Sequence, residues 1–292
     1  MIVIESTDEM LEYSNELKHQ GKIIASVDTD AELHKGHMSL LKIAKENGDV
    51  INLMAGHSVA YNIMTRKKYD EYVTEYRKKP DGLSRDIEVA KSNGVDVFFY
   101  PSMHKLYVDD LMIPVEMCKK AYACLKDSGM FGKKHIELQT WILSTYFPVF
   151  KLILPDIHVV GQKDAHQVFA LKSLIKQLGL PIKIIAAPIS RDEDGVANNS
   201  RNKFLTLGER KRATCIYNTL QEINEWASYP PVSEIKNYFA SAINNARGDT
   251  ILFEIRDTKT WKLVDTIDKE ATIIVFVRFG RCTLSDTIVI KP

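Results

Sequence analysis

Residues 22–47 read KIIASVDTDAELHKGHMSLLKIAKEN. Lys22–Val27 is apolar and partly β-branched, the composition of a buried strand. From Leu33 to Asn47 apolar side chains return at Leu40, Leu41 and Ala44, a helical spacing. Between the two lies Leu33-His34-Lys35-Gly36-His37, placed where a strand ends and a helix begins. In open parallel sheets ligands bind beyond the carboxyl ends of the strands, at helix N-termini. A pair of imidazoles around a glycine at such a point suits a triphosphate. Gly36 permits close approach of the backbone, the first amides and the helix dipole meet phosphate oxygens, and the imidazoles add donors where charge develops. Two surface histidines beside a capping glycine would read the same way. The position directly after a strand favours the nucleotide site.

The alternation continues outward. Asp49–Ala55, Val95–Tyr100, Ile157–Val160 and Ile182–Ala187 read as further strands, and Asp81–Asn93 and Asp164–Gln177 as helices between them. Strands apolar on both faces and separated by helices predict a doubly wound, parallel, Rossmann-like α/β sheet. After Pro188 the pattern changes. Helical stretches at Leu207–Ala227 and Val232–Ala246 are followed by short strands at Thr250–Ile255, Ala271–Phe279 and Thr287–Ile290. The expected organisation is a domain over residues 1–188 and a smaller α+β domain over 189–292.

Composition narrows the function classes. The chain has 292 residues, with 39 Lys and Arg against 38 Asp and Glu, a net charge of +1. A balance so even gives no global field for nucleic acid or an anionic membrane, and neither is expected as a partner. No apolar run approaches the roughly 18 residues of a membrane span, and MIVIESTDEM does not read as a secretory leader. Cys118, Cys124, Cys215 and Cys282 form no CxxC pair, which argues against a disulfide scaffold and against a cysteine zinc site. The cytoplasm is the expected setting. His34 and His37 also have no third His or Cys nearby to complete a zinc site.

Two more segments carry candidate chemistry. Gly161-Gln162-Lys163-Asp164 ends a strand and leads into a helix with Gln167 one turn in. Lys163 suits a phosphate, Asp164 a helix cap or a Mg²⁺-bound water, and Gln167 can offer its amide to a substrate. Asn198-Asn199-Ser200-Arg201-Asn202 is a donor-rich loop able to close over phosphates. Tyr69–Tyr72 and Tyr76–Lys79 read as a solvated helix face, with a covering lid as the alternative. Trp141 and Phe147–Phe150 read as core or dimer packing.

In order and spacing these blocks resemble the pantoate–β-alanine ligase (pantothenate synthetase) family, of the HIGH nucleotidyltransferase type. The resemblance runs through MIVIES, LHKGHMSLLKIAKENGDV, VDVFFYPS, LPDIHVVGQKDAHQVFALKSLIKQLGLPI, PISRDEDGVANNSRNKFLT and FEIRDTKTW. It implies a two-step reaction. A carboxylate attacks the α-phosphate of Mg²⁺·ATP, giving an acyl adenylate and pyrophosphate, and an amine then displaces AMP. It further implies that Thr29, His34, Gly36, His37, Gly161, Lys163, Asp164, Ser200 and Arg201 bind ATP. Of these His34, His37, Lys163 and Arg201 would be catalytic, and Asp164 would help hold Mg²⁺. Gln167 would meet the acid. The family is commonly a cytoplasmic homodimer whose partners are small acids and amines, and its smaller domain closes over the site.

The departures are concentrated in the acid pocket. Where the family has Pro-Thr-Met-Gly, this chain has Asp28-Thr29-Asp30-Ala31, followed by Glu32. Tyr61 stands by count where the family has a glutamine for pantoate. A family loop with Arg and His has its nearest counterpart in Gly132–Glu137. Losing one amide from a buried polar substrate costs roughly 1–3 kcal/mol. Asp28 and Asp30 would repel a carboxylate unless they bind a cationic group on the substrate. The acid is therefore expected to differ from pantoate, with an amino-acid-like molecule as the sharper expectation; carboxylates turned to solvent, with pantoate still bound, are the alternative. A nucleotidyltransferase that stops after the first step and a non-catalytic descendant of the fold remain the other readings.

Overall fold

The computed structural model describes residues 1–108, 115–121 and 133–292. Cys124 and Gly132 lie outside the described residues, as do the side chains of Lys133, Lys134, His135, Ile136 and Ser200. The described chain forms two compact units.

The first unit holds a six-stranded sheet in the order β1-β4-β3-β2-β5-β6. Its strands are β1 (Ile2–Ile4), β2 (Ile24–Thr29), β3 (Val50–Ala55), β4 (Val97–Phe99), β5 (Ile157–Gly161) and β6 (Lys183–Ala187). The pairings from β1 to β5 are all parallel. Alternation along the strands feeds two cores. Ala25, Val27, Ile51, Leu53 and Phe98 pack in one, while Ile24, Val50, Met54, Val97 and Phe99 pack in the other. Successive strand side chains point to opposite faces, so both faces are covered, as the continuous apolar runs require.

The helices of this part are α1 (Thr7–His19), α2 (Lys35–Asn47), α3 (Ser58–Ile63), α4 (Arg66–Lys78), α5 (Leu83–Ser92), α6 (Met103–Leu106), α7 (Val115–Ala121), α8 (Lys133–Ile153) and α9 (Ala165–Leu178). The sequence reading missed β1 and α1. For α1 a signal existed, because Ser6 accepts the Glu9 amide at 3.4 Å in a Ser-x-x-Glu pattern. The solvated face expected along α4 is corrected in part. Tyr69 and Tyr76 are buried, because their rings join the two cores.

The second unit contains an antiparallel sheet, β7-β8-β9, built from Asp249–Asp257, Ala271–Phe279 and Cys282–Ile290. Helices α10 (Leu207–Arg212), α11 (Thr214–Asn224) and α12 (Val232–Asn245) accompany it. The single stretch read at 207–227 is thus two helices. Strand β9 starts five residues before the expected Thr287, since Cys282, Leu284 and Ser285 are buried and paired with β8. Gly161–Phe169, expected with the first domain, groups with this unit. Thr287 Oγ1 donates to the Lys163 carbonyl at 2.9 Å, and Phe169 stacks on Trp261 with centroids 5.1 Å apart.

Candidate functional site

In the first unit the site grows from the turn between β2 and α2. Ala31 and Glu32 both have left-handed backbones, with φ of 60° and 50°. Such conformations are costly for residues with a Cβ, so the surroundings must hold them. Asp86, fully buried on α5, accepts the Leu33 amide at 3.0 Å and the Tyr76 hydroxyl at 2.5 Å. Arg85 adds an ion pair to it at 2.9 Å. Sequence reasoning missed Asp86 and read Tyr76 as part of a solvated helix face. The available signal was an acid at a core-facing position, since Leu83, Asp86 and Ala90 share the buried face of α5.

His34 then caps α2. Its Nδ1 accepts the Gly36 amide at 3.1 Å, while His37 Nδ1 accepts the His34 amide at 3.3 Å. The rings stack with centroids 3.9 Å apart. This corrects one detail of the sequence reading. The Gly36 amide serves the histidine cap, and the His37 amide bonds the His34 carbonyl at 2.8 Å. With both Nδ1 atoms accepting, the neutral rings carry their protons on Nε2.

Thr29 turns its hydroxyl to the Met54 carbonyl at 3.4 Å. Asp28 is half-buried, and its Oδ1 is shielded with no hydrogen-bond partner among the described residues. Burial pushes its pKa up to about 7. Asp30 touches water, yet protein surrounds it on most sides. Its pKa is pushed up to about 6, chiefly by desolvation, against the lowering effect of the Val59 and Ser58 amides. The Val59 amide donates to Asp30 Oδ1 at 3.2 Å. Both carboxylates act on the Tyr107 phenol, whose pKa rises mainly through burial. Tyr107 Oη lies 2.6 Å from Ser58 Oγ. Tyr61 packs into the same aromatic group, 5.1 Å from Tyr69, 5.1 Å from His104 and 5.6 Å from Tyr107 between centroids. The structure thus gathers Asp28, Asp30 and Tyr61 around Tyr107.

The remaining candidates belong to the second unit. Gly161 precedes a 3-10 turn, Gln162–Asp164, and α9 begins at Ala165. Lys163 Nζ stands 3.9 Å from Asp164 Oδ2, and Gln167 follows in the first turn of α9. Ser200 and Arg201 open another 3-10 turn, capped where Asn199 Oδ1 accepts the Arg201 amide at 3.0 Å. Strand β9 buttresses both turns. Thr287 bonds the Lys163 carbonyl, and Cys282 Sγ lies 3.4 Å from the Arg201 carbonyl. Those two strand positions are five residues apart, about 17 Å at strand rise. The Lys163 and Arg201 turns are therefore set along one strand and not in contact through it.

A model of the family described as pantoate-beta-alanine ligase matches residues 2–289. The pantothenate synthetase of Caldicellulosiruptor bescii is 31% identical over 294 residues, covering 100% of this chain and 99% of its own. That of Thermoanaerobacter sp. is 34% identical over 222 residues, 76% of this chain and 74% of its own. Among solved structures, the pantothenate synthetase of Thermus thermophilus superposes with a TM-score of 0.81 over 100% of both chains at 22% identity, a likeness of fold. The pantoate–β-alanine ligase of Francisella tularensis, complexed with beta-gamma ATP and β-alanine, gives 0.68 at 25% identity, covering 99% of this chain and 97% of its own.

Proposed function

The chain belongs to the pantoate–β-alanine ligase family, whose members are carbon–nitrogen ligases, and from that premise we propose that it activates a carboxylic acid with ATP and joins it to an amine. In the first step a carboxylate oxygen attacks the α-phosphorus and the bond to the β-phosphate bridge breaks, releasing pyrophosphate. In the second the amine attacks the acyl carbon, loses a proton, and AMP leaves. The observation that carries this reading is the stacked His34–His37 pair, with protons on Nε2 at the carboxyl end of β2. Fixed donors of this kind stabilise charge that develops on a transferring phosphate. The family resemblance assigns phosphate-binding cations to Lys163 and Arg201, and further ATP contacts to Thr29, Gly36, Gly161 and Ser200.

Among the described residues no three His, Cys, Asp or Glu side chains converge as a metal site. The donor set fits a Mg²⁺ ion that arrives on the triphosphate and keeps most of its waters, with Asp164 as its one carboxylate. That ion would neutralise phosphate charge. The protein's own residues orient the triphosphate and hold the acid.

The acid differs from pantoate in this reading and carries an ammonium group. Asp28, with its unpartnered Oδ1, and Asp30 lie about Tyr107, and Tyr61 brings a ring where the family has an amide. Carboxylates beside aromatic faces suit a cation. Gln167 would still meet the acid. The proposed setting is the cytoplasm and the proposed assembly a homodimer, as is common in the family.

The test is ATP–pyrophosphate exchange with one acid at a time, pantoate first, then amino and hydroxy acids. Exchange with amino acids alone is expected. Exchange with pantoate would remove the altered-substrate part of the reading. No exchange with any acid would remove the adenylation step and favour a non-catalytic descendant.

A further inference from the structure

Strand β9 is an outer strand of the β7-β8-β9 sheet, and the turns that carry Lys163 and Arg201 both pack on it. Its successive side chains point to opposite faces. Asp286 falls on the face that Cys282, Leu284 and Ile290 bury against α11 and α12, and Thr287 falls on the other. Both residues are only 3% exposed. A carboxylate so buried needs partners, and the partners here lead to both turns.

Thr287 Oγ1 donates to the Lys163 carbonyl at 2.9 Å. That carbonyl belongs to the planar peptide unit shared by Lys163 and Asp164. A 3-10 turn of three residues has poor hydrogen bonds of its own, so the threonine fixes the direction in which both side chains leave the turn. Asp286 accepts both arms of the Arg191 guanidinium, at 2.7 and 2.8 Å. Its Oδ1 also accepts the Thr287 amide at 2.7 Å. Arg191 in turn donates to the Gly195 carbonyl at 3.0 Å and lies over the Tyr217 ring, 4.2 Å from its centroid. These contacts close a hairpin in which the Asp192 amide donates to the Val196 carbonyl at 2.9 Å and the Asn198 amide to the Ser190 carbonyl at 2.8 Å. Arg210 clamps the hairpin through Asp192 and Asp194, at 2.9 and 2.6 Å. The hairpin runs directly into Ser200–Phe204, the turn that carries Arg201. One hydrogen-bonded path thus leads from the Lys163 carbonyl through Thr287 and Asp286 to the base of the Arg201 hairpin.

We propose that Asp286 and Thr287 are positioning residues that set the Lys163 and Arg201 turns relative to one another around the outer edge of β9, so that both cations meet one triphosphate. Neither residue touches the ligand. Each acts through the segment it holds, and their adjacency makes the two turns move together. The proposal rests on the ligase reading in one respect: the ligand that the turns share is taken as ATP.

The experiment measures the KM for ATP in ATP–pyrophosphate exchange, with the acid that the full chain accepts, for Thr287→Val, Thr287→Ser, Arg191→Lys and the Thr287→Val/Arg191→Lys double variant. Valine keeps the volume and loses the hydroxyl, serine keeps the hydroxyl, and lysine keeps the charge but loses the planar fork. Loss of one neutral hydrogen bond should raise the KM for ATP about threefold to tenfold in Thr287→Val, and Thr287→Ser should restore it. The double variant should fall short of the product of the two single effects, because either change already frees the turns from one another. A threonine that serves the fold alone would lower the urea midpoint of Thr287→Val and leave the KM unchanged. That result overturns the proposal, as do single effects that multiply in full. If the unaltered chain shows no exchange with any acid, the ligase reading fails by itself, and amide hydrogen exchange decides for the positioning pair. Arg191→Lys should then lose protection at residues 161–167 as well as at 190–204; unchanged protection at 161–167 overturns the coupling.

Discussion

His34 and His37 cap one another: the His37 ring accepts the His34 amide at 3.3 Å, and the two rings stack with centroids 3.9 Å apart. One contact thus serves the helix and sets the imidazole tautomers together. The two roles separate by substitution. Asn is among the best N-cap residues, so His34→Asn should keep α2 while losing the Nε2 donor. Turnover is expected to fall about 10²–10³-fold, the usual effect of removing one transition-state donor, with thermal stability nearly unchanged. His34→Ala should lose turnover and in addition about 1 kcal/mol of stability. Chemical unfolding beside initial rates makes the comparison. Equal turnover in His34→Asn and the unaltered chain would remove the histidine from the phosphate site.

Ala31 provides a prediction on stability alone. Its φ of 60° is a conformation that glycine adopts freely and alanine does not. Ala31→Gly relieves that strain but loosens the unfolded chain, and the net gain should be about 0.5 kcal/mol. Urea midpoints are the measurement. A clear loss of stability would show that the Ala31 methyl, buried in the core, contributes more by packing than its backbone costs.

Asp86 holds that same turn from α5 by accepting from Leu33, Tyr76 and Arg85. Asp86→Asn replaces one accepting oxygen by an NH₂ group, which leaves a buried donor facing a donor. A loss of about 1–3 kcal/mol is expected, together with weaker ATP use because the turn carries His34. Asp86→Asn with unchanged stability would mean the turn is held by packing, and would move the cause of the left-handed pair to the core around Ala31 and Leu33.

Much of this architecture is legible in the sequence, for reasons that differ by element. The runs that became β2 and β3 are buried on both faces, so their composition alone announces them. β1 has three residues at the sheet edge, too few to show a period. The HxGH motif marks the helix start, but its mutual capping depends on rotamers that no spacing encodes. Asp86 lies 53 residues from the amide it holds, a distance over which local pattern carries nothing. Gly161–Phe169 was readable as a strand end running into a helix. Its membership of the second unit depends on Thr287 and Trp261, which lie far along the chain. The pocket acids were visible as departures from a family pattern, while the partial burial of Asp28 and the raised pKa values of both needed the fold.

Those acids give the stability of the protein a pH signature. Asp28 has its pKa raised by burial from 3.8 to about 7. Between these values the folded state keeps a proton that the unfolded chain has lost, so this group favours folding below pH 3.8 and loses that contribution as pH rises through 7. His158 works in the opposite sense. Buried against Ser26 at 2.8 Å, it is taken from 6.5 down to about 3, so acidification below 6.5 charges the unfolded chain first and costs stability. The two nearly offset one another between pH 4 and 6.5. Asp28→Asn removes one side of the balance. Relative to the unaltered chain, the variant should gain stability as pH rises from 4 toward 7, by at most about 1.4 kcal/mol per pH unit, and its own curve should fall more steeply on acidification. Urea unfolding at pH 5, 6, 7 and 8 reads this directly. A stability difference independent of pH would mean Asp28 ionises as an ordinary carboxylate and that its burial does not hold a proton on it in the folded state.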